Sequence, residues 1–378
     1  MKVGILTLPL WNNFGGILQS YALKKTLCDF GCDVTLIDYQ YDVEAIDRLI
    51  AKKIKNIIKA TFLLPFNKRI TETFDIKQQT SVKTRDFVIK EMSPLISVRA
   101  SNIRNREVIT NLDTIVVGSD QVWRKRYSPN LYDYYLDFVK TVNVKKVSYA
   151  ASFGSSNIDY STDEINKVKD LLKRFSSISV RESDAVDIVK TEFEADACHV
   201  LDPTMLLTKN DYLSLLDKYN VSYSENNSGL FVYILDKGTY ENFRIIELEE
   251  TLKLKHFEVK PKVIDSLYYY NKENYIYPCV TQWLKAFFES EYTLVDSFHG
   301  CVFSIIFNKP FIVLGNEERG MSRFISLLKI FDLEDRLVTK DQDIEQLINR
   351  EIDWRSVNKL LHDNRFYSFE FLKEALDI

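Results

Sequence analysis

Residues 291–324 read EYTLVDSFHGCVFSIIFNKPFIVLGNEERGMSRF, and this stretch decides the fold class. A short β-rich run ends in the polar turn DSFHG at 296–300, and the apolar run at 301–307 predicts a helix. A second buried strand is predicted at 311–314, after a Lys-Pro pair that ends the helix. Strand, turn, helix and strand in this order form a βαβ unit, which places His299 at the carboxyl end of its first strand.

His299 is the best candidate for acid–base chemistry in the chain. Ligands of open α/β sheets bind at the carboxyl ends of the strands, and free backbone N–H groups at a helix start favour anions. Histidine is the side chain that most readily both donates and accepts a proton near neutral pH. We therefore predict a catalytic role for His299, with Ser297 and Gly300 of the same turn binding the anionic donor. A buried structural histidine is the alternative.

The composition is that of a globular protein with more than one core. A length of 378 residues predicts two domains, because a single hydrophobic core stops growing at shorter lengths. A net charge of −4 provides no basic surface field, so we expect no nucleic-acid partner. Five scattered cysteines without a CxxC pair predict free thiols in a reducing compartment. We expect a cytoplasmic protein, since neither a signal peptide nor an apolar run of roughly 18 residues is recognisable.

The chain opens with a β-loop-α-β pattern typical of a Rossmann-like half. Between the first strand and the first helix lies NNFGG, in which a glycine pair precedes the helix. Backbone N–H groups at such a helix start can bind a phosphate. We predict that the polar and glycine residues of this rim bind the acceptor or a phosphate; they are Asn13, Gly15, Gly16 and Gln19. The alternative is that the two glycines only let the chain turn.

Polar residues also follow the predicted strand at 114–118. The carboxyl ends of parallel strands meet at one edge of a sheet, so these residues should lie near the first rim. Asp120 can bind a sugar hydroxyl, act as a base or only cap a helix, and we predict it as a catalytic residue. Its neighbours are predicted to contribute to the acceptor or phosphate site; they are Ser119, Gln121 and Trp123.

Arginines supply the candidate anion-binding groups. Arg181 follows the strand SISV directly, and its guanidinium either forms a salt bridge with Glu182 or binds a carboxylate or phosphate. A second basic cluster follows the last strand of the quoted stretch and contains Arg319, Ser322 and Arg323. We predict that this cluster binds the anionic groups of a donor. The alternative is that two neighbouring glutamates neutralise it.

Alternating strands and helices continue on both sides of the polar segment 222–228, which predicts a linker between two α/β halves. We predict an N-terminal Rossmann-like domain at 1–220 and a C-terminal Rossmann-like domain at 229–345. Helices at 346–378 are expected to pack back on the N-terminal domain. The expected fold class is α/β, with two doubly wound domains facing each other across a cleft. Such clefts are favoured ligand sites.

Residues 43–64 predict a helix with a lysine-rich face, followed by the apolar break Leu64-Pro65-Phe66. A basic amphipathic helix with an apolar tip can lie on an anionic membrane surface. We therefore consider a peripheral contact of residues 52–66 with the inner membrane leaflet. The alternative is an ordinary packed helix whose lysines face solvent.

Motifs for several other chemistries are missing from the sequence. It contains no HExxH, EF-hand, P-loop or Cys/His zinc pattern, so we expect no metal site and no cofactor. Ser297 and His299 are two residues apart and do not form the nucleophile elbow of serine hydrolases.

Six segments in order resemble the polysaccharide pyruvyl transferase family and together span about residues 1–330. They are NNFGGILQSYAL (12–23), IVVGSDQVW (115–123), SYAASFG (148–154), SVRESDA (179–185), LDPTMLL (201–207) and DSFHGCVFSIIFNKPFIVL (296–314). Each segment alone is a weak signal, and the ordered set is specific.

The resemblance implies a fold like that of the two-Rossmann GT-B glycosyltransferases. Characterised members of the family transfer a pyruvyl group from phosphoenolpyruvate to a sugar, which gives a cyclic ketal on two hydroxyls. The family's histidine at the second-domain strand end matches His299, and its arginine after a Ser-Val strand matches Arg181. The resemblance associates both with the donor or with catalysis, and we predict Arg181 as a catalytic residue beside His299 and Asp120. Several members have an arginine two residues before that histidine, where this chain has Ser297. The donor's anionic groups are then left to the remaining arginines and to helix N-termini.

We therefore predict a pyruvyl transferase that uses phosphoenolpyruvate as its donor and needs no further cofactor. Its expected acceptor is a sugar of a bacterial surface polysaccharide or of a lipid-linked oligosaccharide precursor. Two alternatives stay open. One is a GT-B-like glycosyltransferase that uses a nucleotide sugar, and the other is a non-catalytic sugar-binding protein on the same fold.

Overall fold

The computed structural model describes residues 1–42, 70–104, 111–128, 130–140, 143–221, 228–235, 238–315, 320–339, 342 and 344–378. The predicted helix at 43–64, the segment 52–66 and Arg319 lie outside these described residues, so the membrane contact stays a prediction. Within the described ranges, none of the helices combines the length and apolar character that crossing a membrane requires.

The N-terminal half is built on a parallel sheet. Its strands within the described residues are β1 Lys2–Leu6, β2 Asp33–Gln40, β3 Leu95–Arg99, β4 Thr114–Val117, β5 Lys145–Ala151, β6 Ser177–Val180 and β7 Cys198–His199. They lie in the order β3-β2-β1-β4-β5-β6-β7, and Val3 lies opposite Val34 on one side and Thr114 on the other. All four residues of β4 are buried, as a strand covered by helices on both faces requires.

Helices connect these strands and carry their own start signals. They are α1 Phe14–Asp29, α2 Phe74–Thr80, α3 Val82–Met92, α4 Thr162–Leu172, α5 Ser183–Phe193 and α6 Lys209–Lys218. Ser161 and Glu164 form a capping box at α4, in which each side chain accepts a hydrogen bond from the other residue's backbone N–H. Asn13 caps α1 in a similar way and thereby fixes where this helix begins.

The C-terminal half contains the βαβ unit predicted from residues 291–324. Its strands are β8 Leu230–Tyr233, β9 His256–Phe257, β10 Tyr292–Val295, β11 Phe311–Leu314 and β12 Leu337–Val338. Its helices are α7 Thr239–Leu252, α8 Val280–Glu289, α9 Phe298–Ile306, α10 Ser322–Ile330 and α11 Glu345–Ile348. The strands form a second parallel sheet in the order β12-β11-β10-β8-β9, and Leu294 lies opposite Ile312. The predicted strand–turn–helix–strand order is therefore confirmed, with His299 in the first turn of α9.

Aromatic side chains pack the two halves together. The ring of Phe14, at the start of α1, stacks on Trp283 of α8 with 5.5 Å between the ring centroids. Tyr212 of α6 meets Phe303 of α9 edge to face at 5.1 Å. Such pairs contribute about 0.5–1.5 kcal/mol each beyond the burial of their surface. These contacts join α1 and α6 of the N-terminal half to α8 and α9 of the C-terminal half.

The chain ends in the long helix α12, Trp354–Leu376, which contacts the N-terminal half. The hydroxyl of Ser368 accepts a hydrogen bond from the backbone N–H of Leu201 at 3.1 Å. The ring of Phe369 meets Phe30 edge to face at 5.5 Å. These contacts tie α12 to the first sheet, close to the segment that follows β7.

Candidate functional site

A cavity of about 380 Å³ lies where the carboxyl ends of the two sheets face each other. Small-molecule sites occupy about 300–1,000 Å³, so the cavity has a suitable size for a small donor and part of a sugar. Predicted site residues from both halves line it; they are Asn13, Gly15, Asp120, Gln121, Ser297, His299 and Arg323.

His299 projects from the first turn of α9, whose start is capped by Ser297. The Ser297 hydroxyl accepts a hydrogen bond from the backbone N–H of Gly300 at 3.0 Å, so these two residues shape the turn. The imidazole is 9% exposed, and its Nε2 lies 3.5 Å from Oδ2 of Asp202. That distance is long for a hydrogen bond and is that of a close charge contact.

The other face of the imidazole lies against Gly15 at the start of α1. A Cβ atom at position 15 would lie 2.1 Å from His299 Nδ1, a distance that no side chain can keep. The absence of a side chain on Gly15 is therefore what lets the imidazole approach α1. This close approach, and not only a turn, gives a physical reason for glycine at this position.

Asp202 is the fully buried carboxylate behind His299. Its Oδ1 accepts hydrogen bonds from the backbone and hydroxyl of Thr204 at 3.0 and 2.7 Å. Its Oδ2 accepts from Ser119 and from Arg181, each at 3.0 Å. Burial alone would raise the pKa of Asp202, but His299, Arg181 and the Thr204 hydroxyl hold it well below its ordinary value. The side chain is therefore a carboxylate that can orient and stabilise a protonated His299.

Arg181 is buried among carboxylates and is not part of the cavity wall. Its side chain is 1% exposed, with Nε 3.2 Å from Glu182 and Nη1 3.0 Å from Asp202. Nη2 lies 3.9 Å from Asp120, and the guanidinium carbon lies 4.1 Å from the ring centroid of Phe298. Burial alone would lower the pKa of Arg181, but the three carboxylates raise it above its ordinary value. The anion-binding role of Arg181 stays a prediction. In these contacts the positive charge of Arg181 is neutralised by carboxylates of the protein itself.

Arg323, in the first turn of α10, lies on the cavity wall. Burial, and then repulsion by Arg181, lower the pKa of Arg323 to about 10. Gly320 just before α10 has a φ of +91°, and a Cβ there would lie 2.0 Å from the carbonyl oxygen of Gly154. This glycine lets the start of α10 approach the loop after β5, which brings Arg323 to the edge shared by both halves.

Asp120 and Asn13 connect the end of β4 to the start of α1. Asn13 Oδ1 accepts from the backbone N–H of Gly16 at 3.1 Å, and its Nδ2 donates to Asp120 Oδ2 at 3.2 Å. Asp120 has a φ of +74°, an uncommon backbone conformation for a residue other than glycine. The backbone carbonyl of Asp120 holds this conformation by accepting from Val122 and Ser152. Strained residues of this kind concentrate at functional sites.

Several predicted site residues have structural contacts away from the cavity wall. Gln19 donates to the hydroxyl of Thr7 and to the backbone of its own helix, both at 2.9 Å. The indole of Trp123 donates to the carbonyl of Tyr134 and stacks on Tyr135. Ser322 lies at the start of α10 and lines a neighbouring crevice. The predicted binding roles of these residues stay predictions.

The structure adds residues that the sequence did not single out. Asp202 was recognisable only as one of several polar residues at strand ends, with nothing to connect it to His299. Trp11, Tyr41 and Lys77 also line the cavity, and no motif marks them. Among the described residues, no group of three His, Cys, Asp or Glu side chains is arranged to hold a metal ion.

The chain matches a sequence profile of one protein family over most of its length. The family is described as polysaccharide pyruvyl transferase, and the match covers residues 13–318. It confirms the predicted family and the prediction of a transferase. A comparison with curated protein sequences found no match.

Solved structures resemble the chain in fold. UDP-N-acetylglucosamine 2-epimerase from Rickettsia bellii aligns with a TM-score of 0.50 and 10% identity over 100% of this chain and 96% of that chain. The Neisseria meningitidis UDP-GlcNAc 2-epimerase bound to UDP-GlcNAc aligns with a TM-score of 0.46 and 10% identity over 100% of this chain and 99% of that chain. Arabidopsis thaliana UGT89C1 complexed with UDP aligns with a TM-score of 0.47 and 11% identity over 100% of both chains. The first likeness, with the two parallel sheets, confirms the predicted GT-B-like fold class and concerns the fold alone.

Proposed function

Since the chain belongs to the polysaccharide pyruvyl transferase family, we propose that it transfers a pyruvyl group from phosphoenolpyruvate to a saccharide, with formation of a cyclic ketal. The acceptor is a sugar of a bacterial surface polysaccharide or of its lipid-linked precursor. One observation carries the proposal: His299, backed by the carboxylate of Asp202, faces the same cavity as Arg323. A proton donor and a cation in one enclosed space are what this chemistry requires.

The donor carries a phosphate and a carboxylate, and the cavity offers positive charge for both. Arg323 provides a guanidinium on the wall, and its planar donors suit bidentate binding of either group. The starts of α1 and α9 also border the cavity through Gly15 and His299, and helix starts carry partial positive charge. These groups support the binding of a donor that has two anionic groups. They do so without the arginine that several family members have at the position of Ser297.

The mechanism follows from the enol phosphate of the donor. Protonated His299 gives its proton to the methylene carbon, which becomes a methyl group, and positive charge develops on the neighbouring carbon. A sugar hydroxyl forms a bond to that carbon and its proton returns to the imidazole. The bond to the phosphate oxygen then breaks, and a second hydroxyl closes the ketal as its proton leaves with the phosphate. The methyl group thus receives the proton of His299, which the first hydroxyl replaces, and the released phosphate carries the proton of the second hydroxyl.

Asp202 and Asp120 have supporting roles in this proposal. Because Nε2 of His299 faces Asp202, the nitrogen that serves the donor is Nδ1, on the side of Gly15. Asp120 lies on the cavity wall and accepts a hydrogen bond from Asn13, which supports a role of its carboxylate as the acceptor of a hydrogen bond from a sugar hydroxyl. Arg181 offsets the negative charge of Asp120 and Asp202 on the side away from the cavity, and it acts on the reaction only through these two aspartates.

The test is phosphate release from phosphoenolpyruvate with galactose-, mannose- and glucuronic-acid-containing acceptors. Wild-type protein should release phosphate only with a suitable acceptor. His299→Gln should lower kcat by about 100- to 10,000-fold, the range for a lost general acid–base group. Arg323→Met should raise the KM for phosphoenolpyruvate by about 10- to 100-fold, since it removes a charge-assisted contact.

His362→Gln is the matched control, because His362 is 78% exposed on α12 and should be neutral. A His299→Gln protein that keeps full activity contradicts the proposal. No release with any acceptor, together with thermal stabilisation by a nucleotide sugar but not by phosphoenolpyruvate, would instead indicate a glycosyltransferase. Saccharide binding without any turnover would indicate a sugar-binding protein.

A further inference from the structure

Lys77 of α2 occupies the cavity wall between two aromatic rings. Its Nζ lies 5.7 Å from the ring centroid of Trp11 and 5.6 Å from that of Tyr41. All three residues line the cavity that also contains His299 and Arg323. The cavity therefore has a second cationic group, on a different element from the two proposed to act on the donor.

A comparison with Arg85 shows what is unusual about Lys77. Both cations lie over the ring of Trp11, and the Arg85 guanidinium carbon is 5.3 Å from the ring centroid. Arg85 is neutralised by Asp38 at 2.7 Å and also donates to the carbonyl of Leu10 at 2.9 Å. Lys77 forms no ion pair with any carboxylate of the described residues. Arg85 is thus neutralised by a carboxylate of the protein, whereas Lys77 faces the cavity.

The surroundings of Lys77 favour binding of an anion. Burial lowers the pKa of Lys77, and the charge of Glu72 offsets this only in part. A poorly hydrated ammonium against aromatic walls gains more from an anionic partner than an ammonium in water does. The ring of Tyr41, which is 42% exposed, can in addition pack against the apolar face of a sugar ring.

We propose that Lys77, Trp11 and Tyr41 form a subsite for an anionic group of the acceptor saccharide, either a sugar carboxylate or a sugar phosphate. The subsite rests on the proposed function, because it assigns the acceptor to this wall and the donor to His299 and Arg323. It makes the enzyme selective for acidic or phosphorylated acceptors over neutral ones.

The test measures binding by calorimetry with three types of probe in galacto, gluco and manno configurations. They are neutral methyl glycosides, the corresponding methyl glycosides of uronic acids, and the corresponding sugar 1-phosphates. Wild-type protein should bind a uronide or a sugar phosphate about 10- to 100-fold more tightly than its neutral counterpart. Lys77→Met should abolish this preference, and Lys77→Arg should keep most of it. Lys83→Met is the matched control, because Lys83 is exposed on the neighbouring α3 and should change nothing.

The uronide and phosphate probes distinguish the two sources of negative charge. A wild-type protein without preference for either anionic probe overturns the subsite, as does a preference that persists in Lys77→Met. A large loss of phosphoenolpyruvate affinity in Lys77→Met, with the sugar preference unchanged, would assign Lys77 to the donor and also overturn it. Lys77-dependent binding without ketal formation from any acceptor would reject pyruvyl transfer and keep the subsite, so the two failures are distinguishable.

Discussion

Arg181 and Arg323 lie at the carboxyl edges of the two sheets, and both are buried, but their surroundings differ. Arg181 is enclosed by Asp120, Glu182 and Asp202, and its pKa is raised. Arg323 is 8% exposed on the cavity wall, and burial with repulsion by Arg181 lowers its pKa. An arginine directly after a strand is therefore not a ligand-binding group by position alone. Three carboxylates of the protein contact Arg181, whereas Arg323 borders the cavity, and Glu182 and Asp120 offset the lowering of its pKa only in part.

Asp202 connects these two surroundings. Its Oδ2 accepts a hydrogen bond from Arg181 and also faces His299 at 3.5 Å. The charge of Arg181 therefore reaches the cavity through this carboxylate and through Asp120. In our account Arg181 is a positioning residue, and His299 and Arg323 are the groups that meet the donor.

The largest effect is expected for Arg181→Met, on folding. Removing one partner from a buried ionic group leaves the others without compensation, which typically costs about 3–5 kcal/mol. The charged form of Glu182 is already disfavoured by burial, which raises its pKa above the ordinary value even beside Arg181. Urea unfolding should show a lower free energy of unfolding at an unchanged slope.

The matched control for this change is Arg350→Met. Arg350 is 68% exposed and pairs with Asp335, and such surface pairs contribute about 0–1 kcal/mol. Equal, small losses for both variants would show that Arg181 is not the centre of a buried charge cluster, and would weaken the distinction drawn between the two arginines.

Asp202→Asn should lower kcat by about 100-fold or more, because an amide cannot stabilise protonated His299 and favours the wrong ring orientation. The amide keeps the shape of the side chain, so its contacts with Thr204 should partly survive. Steady-state kinetics of phosphate release gives the measurement, with Asp202→Glu as a partial rescue. An Asp202→Asn enzyme with normal kcat would mean that the 3.5 Å approach to His299 has no part in the reaction.

Gly15→Ala should lower kcat by about tenfold or more while the protein stays folded, since the added methyl group would occupy the position of the His299 ring. Alanine is a better helix former than glycine, so no loss of helix stability is expected from the backbone. Gly118→Ala is the control, because its Cβ would meet neighbours at an ordinary 3.5 Å. If both alanine variants kept wild-type kcat, the imidazole would not depend on its contact with α1.

The smallest effect concerns pH and stability. The pKa of Asp202 is lower in the folded chain than its ordinary value of 3.8, so its stabilising contribution is complete above about pH 4. As the pH falls below that value, the unfolded chain takes up the proton first, and the contribution is lost. The free energy of unfolding should therefore decline more steeply in the wild type than in Asp202→Asn below pH 4. Parallel declines would contradict the low pKa.

The sequence predicted the elements that depend on local pattern. The run at 291–324 gave a strand, a helix and a second strand, and the structure places His299 at the carboxyl end of β10 as expected. Such predictions succeed because a buried parallel strand and its helix are recognisable from a few neighbouring residues.

The pairing of side chains was not predictable in the same way. Asp202 is 97 residues from His299 in the chain, and only the packing of α9 against the segment after β7 brings them together. The salt bridge of Arg181 with the adjacent Glu182 was one of its two expected roles, but Asp120 and Asp202 follow other strands, and their approach to Arg181 was not predictable from the sequence. Gly15 was interpreted as a turn or anion-binding residue, and the approach of His299 became visible only in three dimensions.

The most direct test is a crystal structure of the protein with phosphoenolpyruvate or an unreactive analogue bound. We predict that an anionic group of the donor lies within hydrogen-bond distance of Arg323, with the methylene carbon facing Nδ1 of His299. Arg181 should keep its contacts with Asp202 and Glu182. A donor bound directly by Arg181, or one bound outside the cavity, would contradict the account.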